Sequence, residues 1–76
     1  MRGSVIRLNK KLGCGFILGE HGYEAYFDLS SLDGTDIWAL SIGKTVEYHE
    51  RSGHERLRAV GVKIIPDSRS ESGRRS

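Results

Sequence analysis

Residues 13–29 read GCGFILGEHGYEAYFDL, and the two apolar runs within this stretch decide the fold. Side chains alternate between the two faces of a β-strand. In the first run, Phe16 and Ile17 therefore point to opposite faces. In the second run, Tyr26 and Phe27 do the same. We predict that Ile17 and Phe27 face the interior, and that the other two rings face outward on adjacent strands.

The same pattern of short apolar runs between turn residues extends through most of the chain. Turn signals such as Asp33-Gly34 and Ser52-Gly53 separate the runs. The predicted strands cover residues 4–8, 14–19, 24–29, 45–50 and 57–65. The longest connection, residues 30–40, is predicted to hold one helical turn around Ser30-Ser31-Leu32 and to fold over one end of the strands. Five short strands without an amphipathic helix indicate an all-β barrel or sandwich.

The composition indicates one small domain followed by a tail. The chain has 76 residues, of which 37% are hydrophobic and 29% are charged. Its single cysteine cannot form an internal disulfide bond, so we expect a reducing, cytoplasmic location. No run of about 18 apolar residues exists, and no membrane span is expected. Residues 1–65 are the predicted domain, and residues 66–76 are predicted to be a disordered tail rich in serine and arginine.

The net charge gives little guidance about partners. Twelve Lys and Arg residues against ten Asp and Glu residues give a formal charge of +2 at pH 7. This surplus is too small to attract nucleic acid over the whole surface. Any binding of nucleic acid must therefore depend on particular residues.

Taken together, the motifs resemble those of the cold-shock domain family. Gly13-Cys14-Gly15-Phe16-Ile17 is similar to the family's first ribonucleoprotein motif, and Ala25-Tyr26-Phe27-Asp28-Leu29 is similar to the second. Gly3-Ser4-Val5 and Gly43-Lys44-Thr45-Val46-Glu47-Tyr48 extend the resemblance to residues 3–64. It implies a five-stranded antiparallel OB-fold barrel that binds single-stranded RNA or DNA with low sequence specificity. Such a protein acts as an RNA chaperone or as a regulator of transcription or translation.

The resemblance also implies a binding face. Phe16 and Tyr26 are expected to stack on unpaired bases. Basic side chains are expected to neutralise phosphates, and these are Arg7, Lys10, Lys11, Arg56 and Arg58. Cys14 replaces an aromatic residue of the family, Asp28 replaces a histidine, and Trp38 or its neighbour Ile37 corresponds to an aromatic residue of the long loop. We include Cys14, Asp28 and Trp38 among the binding residues, and we expect the carboxylate of Asp28 to repel phosphates or to shift the base preference.

Two interpretations of the aromatic pair remain open. From periodicity alone, two outward rings support cross-strand packing as readily as base stacking. If nucleic-acid binding has been lost, we expect a protein-interaction module or a homodimer instead. The apolar patch that would serve this alternative consists of Leu12, Cys14, Leu29, Ile37 and Trp38.

Enzymatic chemistry, metals and cofactors are not expected. The two histidines in residues 49–54 are five positions apart with a predicted hairpin between them. A zinc-protease motif instead places two histidines four positions apart on one face of a helix. Ser30 and Asp28 have no histidine positioned by the sequence to complete a catalytic triad. We therefore predict a binding protein and no enzyme.

Overall fold

Five strands form where apolar and polar side chains alternate, and they close into a barrel. The computed structural model describes residues 1–65, so the tail predicted for residues 66–76 lies outside the described residues. The strands are β1 (Arg2–Asn9), β2 (Cys14–Gly19), β3 (Glu24–Asp28), β4 (Thr45–Ser52) and β5 (Leu57–Ile64). Two short 3₁₀ helices, Leu29–Ser31 and Ile37–Ala39, lie between β3 and β4. The predicted all-β barrel is confirmed.

The strands follow the order β1-β2-β3-β5-β4 around the barrel. Neighbouring strands are antiparallel except β3 and β5, which run parallel and meet through one residue pair, Tyr26 and Arg58. The closure of the barrel therefore lies beside the outward ring of Tyr26. Among residues 1–65, no helix is long and apolar enough to cross a membrane.

The core consists of the inward side chains of all five strands together with residues of the long connection. Its buried members are Val5, Ile17, Ala25, Phe27, Ile37, Leu40, Val46, Tyr48, Ala59 and Val62. The alternation predicted for β2 and β3 is confirmed, because Ile17 and Phe27 are fully buried whereas Phe16 and Tyr26 are only half-buried. The alternation therefore determines which side chains β2 and β3 present to solvent.

A β-bulge in β1 sets the direction of Arg7. The register with β2 passes from the pair Val5–Ile17 to the pair Arg7–Phe16, so that Ile6 is the extra residue. Without this insertion, Val5 and Arg7 would share a face, because side chains alternate with a period of two. The bulge reverses the alternation, so Val5 lies in the core while Arg7 is exposed opposite Phe16.

Two details of the long connection correct the sequence-based predictions. Leu29 is 58% exposed and lies after the end of β3, although the predicted third strand extends to residue 29. The reason is that β3 ends at Asp28, whose carboxylate caps a 3₁₀ helix that begins one residue earlier than predicted. Ile37 is only 7% exposed because it belongs to the core, so it is not part of an apolar surface patch or of a binding face.

Candidate nucleic-acid interface

The two outward aromatic rings of β2 and β3 lie side by side. Phe16 and Tyr26 are directly paired across the two strands. Their ring centroids are 5.6 Å apart and the ring planes are inclined by 68°, which is an edge-to-face arrangement. Such pairs are favourable in themselves, worth about 0.5–1.5 kcal/mol beyond the area that they bury. The pair is therefore held in position before any ligand arrives, and it remains half-exposed to solvent.

Three guanidinium groups surround this ring pair. The Cζ atom of Arg56 lies 5.1 Å from the ring centroid of Tyr26 and 5.7 Å from that of Phe16. The Cζ atom of Arg7 lies 5.8 Å from the ring centroid of Phe16, and the Cζ atom of Arg58 lies 5.3 Å from the ring centroid of Tyr26. Arginine side chains stack on flat rings and bind phosphate oxygens through paired N–H donors. The structure thus brings together five of the residues predicted from the sequence, two aromatic and three basic.

Asp28 has a local structural role in this face. Its Oδ1 atom accepts hydrogen bonds from the backbone N–H of Ser30 at 3.0 Å and from the Ser30 hydroxyl at 2.6 Å. The Ser31 hydroxyl donates to the same oxygen at 3.3 Å, and the Ser31 Oγ accepts the backbone N–H of Asp28 at 3.2 Å. This reciprocal arrangement is a capping box, and it ends β3 and starts the following helix.

The second carboxylate oxygen of Asp28 faces β5. Arg58 donates to Oδ2 through its Nη2 atom at 3.2 Å, across the parallel junction of the barrel. Hydrogen bonding by the Ser30 side chain, with a smaller contribution from Arg58, lowers the pKa of Asp28 against the opposing effect of its partial burial. The carboxylate is therefore charged at neutral pH, and its charge is balanced by a guanidinium in contact with it. A role of Asp28 in base preference stays a prediction.

Cys14 and the glycines beside it occupy the start of β2. Cys14 is half-buried and pairs with Asp28 across the strands. Gly15 is buried, and a Cβ at this position would meet the backbone oxygen of Arg7 and lie 2.8 Å from the ring of Phe27. A side chain at position 15 would therefore push β1, β2 and the core apart. Cys14 lies within the face, and its contact with nucleic acid stays a prediction.

The remaining predicted residues lie in the connections between β1 and β2 and between β3 and β4. Lys10 donates to the backbone oxygen of Trp38 at 3.2 Å, and its Nζ atom lies 5.6 Å from the indole centroid. Trp38 is 68% exposed, and Lys11 is exposed in the turn between β1 and β2. Within residues 1–65, no ring or hydrogen-bond contact joins this lysine–tryptophan pair to Phe16 or Tyr26. Contact of Lys10, Lys11 and Trp38 with nucleic acid stays a prediction.

The hairpin predicted around Ser52-Gly53 joins β4 to β5, but its position beside the ring pair was not predicted. Its residues Gly53, His54 and Glu55 line a pocket together with Tyr26, next to the ring pair. No local signal in the sequence indicates that this hairpin lies beside Tyr26 of β3. In the described part of the chain, no group of three or more His, Cys, Asp or Glu side chains is arranged to hold a metal ion.

Comparison with known proteins gives a structural relationship and no sequence relationship. A scan against protein-family models finds no match, and a search of curated proteins finds none either. Among solved structures, the chain is similar to Drosophila Unr CSD456, a protein of cold-shock domains, with a TM-score of 0.61 and 22% sequence identity. The match covers 86% of this chain and 26% of that one. At this identity the likeness shows the fold alone, which is a five-stranded barrel of OB type similar to that of the solved structure.

Proposed function

We propose that this protein is a diverged cold-shock protein that binds single-stranded RNA or DNA with low sequence preference. The observation that carries the proposal is the half-exposed pair Phe16–Tyr26 with Arg7, Arg56 and Arg58 around it. Flat rings and guanidinium planes together form a surface for unpaired bases, and the likeness of the barrel to a cold-shock domain supports the same assignment.

The proposed mechanism depends on the unpaired bases and the phosphates that a single strand exposes to this face. An unpaired base can stack on the exposed part of either ring, and stacking is tolerant of sequence because every base has a flat π-face. The arginines over the rings then serve as stacking partners or as donors to the neighbouring phosphates. A base-paired strand does not offer its base faces, so binding favours the unpaired state.

Holding the unpaired state is the activity that we propose. A ligand that binds one of two states stabilises that state by mass action. The protein would thus open weak secondary structure in transcripts, as an RNA chaperone or as a regulator of transcription or translation in the cytoplasm. The proposed mechanism requires no bond to be made or broken, so we propose no enzymatic role, metal or cofactor.

The proposal is tested by measuring the affinity of the full chain for a labelled short oligouridine or oligothymidine strand by fluorescence anisotropy. Replacing Phe16 or Tyr26 by alanine removes one stacking ring, which is worth about 1–3 kcal/mol, or about 5- to 150-fold in the dissociation constant. Tyr23→Ala is the matched control, because Tyr23 is an exposed aromatic residue outside the ring pair. Equal affinities of all three variants and the wild type would refute the proposal.

A second candidate function rests on exposed apolar side chains in the connections between β1 and β2 and between β3 and β4. Leu12 is 73% exposed, and Leu29 and Trp38 are also largely exposed. Leu29 packs against Gly13, so the turn after β1 lies beside the first 3₁₀ helix. This surface favours the alternative of a protein-interaction module or a homodimer. Sedimentation of the full chain over a range of concentrations tests the dimer, and a constant monomer mass would exclude it.

A further inference from the structure

A pocket lies beside Tyr26, where the hairpin between β4 and β5 turns towards β3. It has a volume of about 370 Å³ and is lined by Tyr26, Gly53, His54, Glu55, Arg56 and Arg58. Pockets that hold small organic ligands have volumes of about 300–1,000 Å³. Tyr26 lines the pocket together with polar and charged side chains, so the pocket suits a flat, polar molecule of the size of a nucleobase.

The hairpin is built so that two side chains of opposite charge reach the pocket. The backbone N–H of Gly53 donates to the backbone oxygen of Arg56 at 3.0 Å, which closes the turn. A Cβ at position 53 would lie 2.5 Å from that oxygen and 3.2 Å from Cγ of Arg58. Glycine is therefore required here, and the tight turn places Glu55 and Arg56 next to each other at the wall of the pocket.

The hydrogen-bonding capacity of these two side chains is available to a ligand. Arg58 is engaged with Asp28, as described above. Within residues 1–65, by contrast, no hydrogen bond or ion pair engages the carboxylate of Glu55 or the guanidinium of Arg56. The pocket thus offers two acceptor oxygens and a fork of donors beside a ring on which a base can stack.

Guanine is the base whose edges match this arrangement. Its O6 and N7 atoms are adjacent acceptors that an arginine binds in bidentate fashion. Its N1–H and 2-amino groups are adjacent donors, which suit the two oxygens of a carboxylate. Adenine and cytosine each place one amino group beside an acceptor nitrogen, and uracil places one N–H between two carbonyls. A carboxylate would face an acceptor in each of these bases.

We propose that the hairpin pocket selects a guanine base within a bound single strand, with Tyr26 stacking on it, Arg56 binding its O6 and N7 atoms, and Glu55 accepting from N1–H and the 2-amino group. This inference rests on the proposed function and adds one selective position to a face that otherwise tolerates any sequence. At the other positions of the strand, bases stack on the rings and basic side chains neutralise phosphates, and no side chain recognises the base edges.

The test compares short oligouridine strands that carry one central guanosine, adenosine, inosine or 7-deazaguanosine. Inosine lacks the 2-amino group and 7-deazaguanosine lacks N7, so each analogue removes one contact and leaves the base flat. We expect the guanosine strand to bind about fivefold more tightly than the adenosine strand, which corresponds to about 1 kcal/mol, the lower end for a bidentate base contact. Both analogues are expected to lose most of this advantage.

A substitution assigns the selectivity to the pocket. Glu55→Gln replaces one acceptor oxygen by a donor, so it should remove the difference between guanosine and inosine strands. Glu47→Gln is the matched control, because Glu47 is an exposed carboxylate on β4 that does not line the pocket, and it should keep the difference. Free guanosine 5′-monophosphate in excess should compete only weakly, since it lacks the neighbouring nucleotides that bind the ring pair.

The outcomes separate this inference from the proposed function. If all four strands bind with equal affinity, the guanine pocket is refuted and strand binding stands. Selectivity that survives Glu55→Gln would also refute the assignment to this pocket. Strong competition by the free nucleotide would overturn the claim that the base is read within a strand. If no strand binds, both the proposed binding of single strands and the guanine pocket are refuted.

Discussion

Replacing Asp28 by alanine should destabilise the barrel measurably, because this carboxylate both caps a helix and closes the junction between β3 and β5. Removing an N-cap side chain costs about 0.5–2 kcal/mol of the free energy of unfolding. The partly exposed ion pair with Arg58 adds about 0.2–1 kcal/mol. Together these contacts predict a loss of about 1–3 kcal/mol at pH 7. For a domain of this size, the melting temperature should fall by about 4–24 °C.

The pH dependence of the same variant provides a second, independent check. The pKa of Asp28 is lowered in the folded state, mainly by the hydrogen bond from Ser30. A carboxyl group with a depressed folded pKa stabilises the fold above its unfolded value of about 3.9, and this contribution is lost as the pH falls through the folded pKa. The difference between wild type and Asp28→Ala should therefore be largest near neutral pH and should shrink below about pH 4.

The measurement is thermal unfolding of the full chain, followed by circular dichroism between pH 2 and pH 8. Asp28→Asn separates the two contacts, because asparagine still caps a helix but carries no charge for Arg58. Asp33→Ala is the control, since Asp33 forms an exposed ion pair with Lys63 at 3.5 Å and should cost little. A melting temperature of Asp28→Ala within about 1 °C of wild type, against the 4–8 °C expected per kcal/mol, would refute the reasoning. A difference that grows towards acid pH would refute it equally.

Three further predictions concern the core and the binding face. Burial, followed by the charges of nearby glutamates, raises the pKa of Tyr48, so wild type should lose stability as the pH rises through the folded pKa. Tyr48→Phe should therefore resist unfolding above about pH 10 better than wild type, whereas the exposed control Tyr23→Phe should not. Gly15→Ala should lower the free energy of unfolding by about 1–3 kcal/mol or more, because its Cβ would overlap the backbone of Arg7, and chemical denaturation measures this loss. Gly34→Ala, which meets no neighbouring atom but has φ of +67°, should cost less than Gly15→Ala. Arg7→Gln should make the slope of log affinity against log salt shallower by about 0.7, the value for one phosphate contact to a single strand, and an unchanged slope would place Arg7 away from the strand.

Strand positions and the inward or outward direction of β2 and β3 could be predicted from the sequence, because strict alternation is a local property. Ile17 and Phe27 are buried and their neighbours Phe16 and Tyr26 face outward, as the alternation indicated. Alternation fails in β5, where Ala59 and Val62 are both buried although they are three residues apart. Gly61 has φ of +63° between them, and a bulge of this kind depends on pairing with a distant strand.

The candidate site was predictable only in its residue types. The sequence contains the basic side chains, but their grouping around two rings depends on non-local geometry. Arg7 reaches Phe16 through a bulge, and Arg56 reaches both rings because the hairpin bends over β3. The end of β3, by contrast, has a local signal in the sequence. Asp is among the residues preferred at the N-cap of a helix, and Asp28 is the N-cap of the first 3₁₀ helix.

The most direct test of the central claim is to map the bound strand onto the barrel. Two-dimensional ¹H–¹⁵N NMR spectra of the full chain, recorded while a short oligouridine strand is added, report which backbone amides change their environment. We predict that the largest shifts occur at Phe16, Tyr26 and Arg58, where β2, β3 and β5 meet beneath the ring pair. Saturable shifts centred on Leu12 and Leu29 instead, or no shifts at low salt, would contradict the claim that this face binds single-stranded nucleic acid.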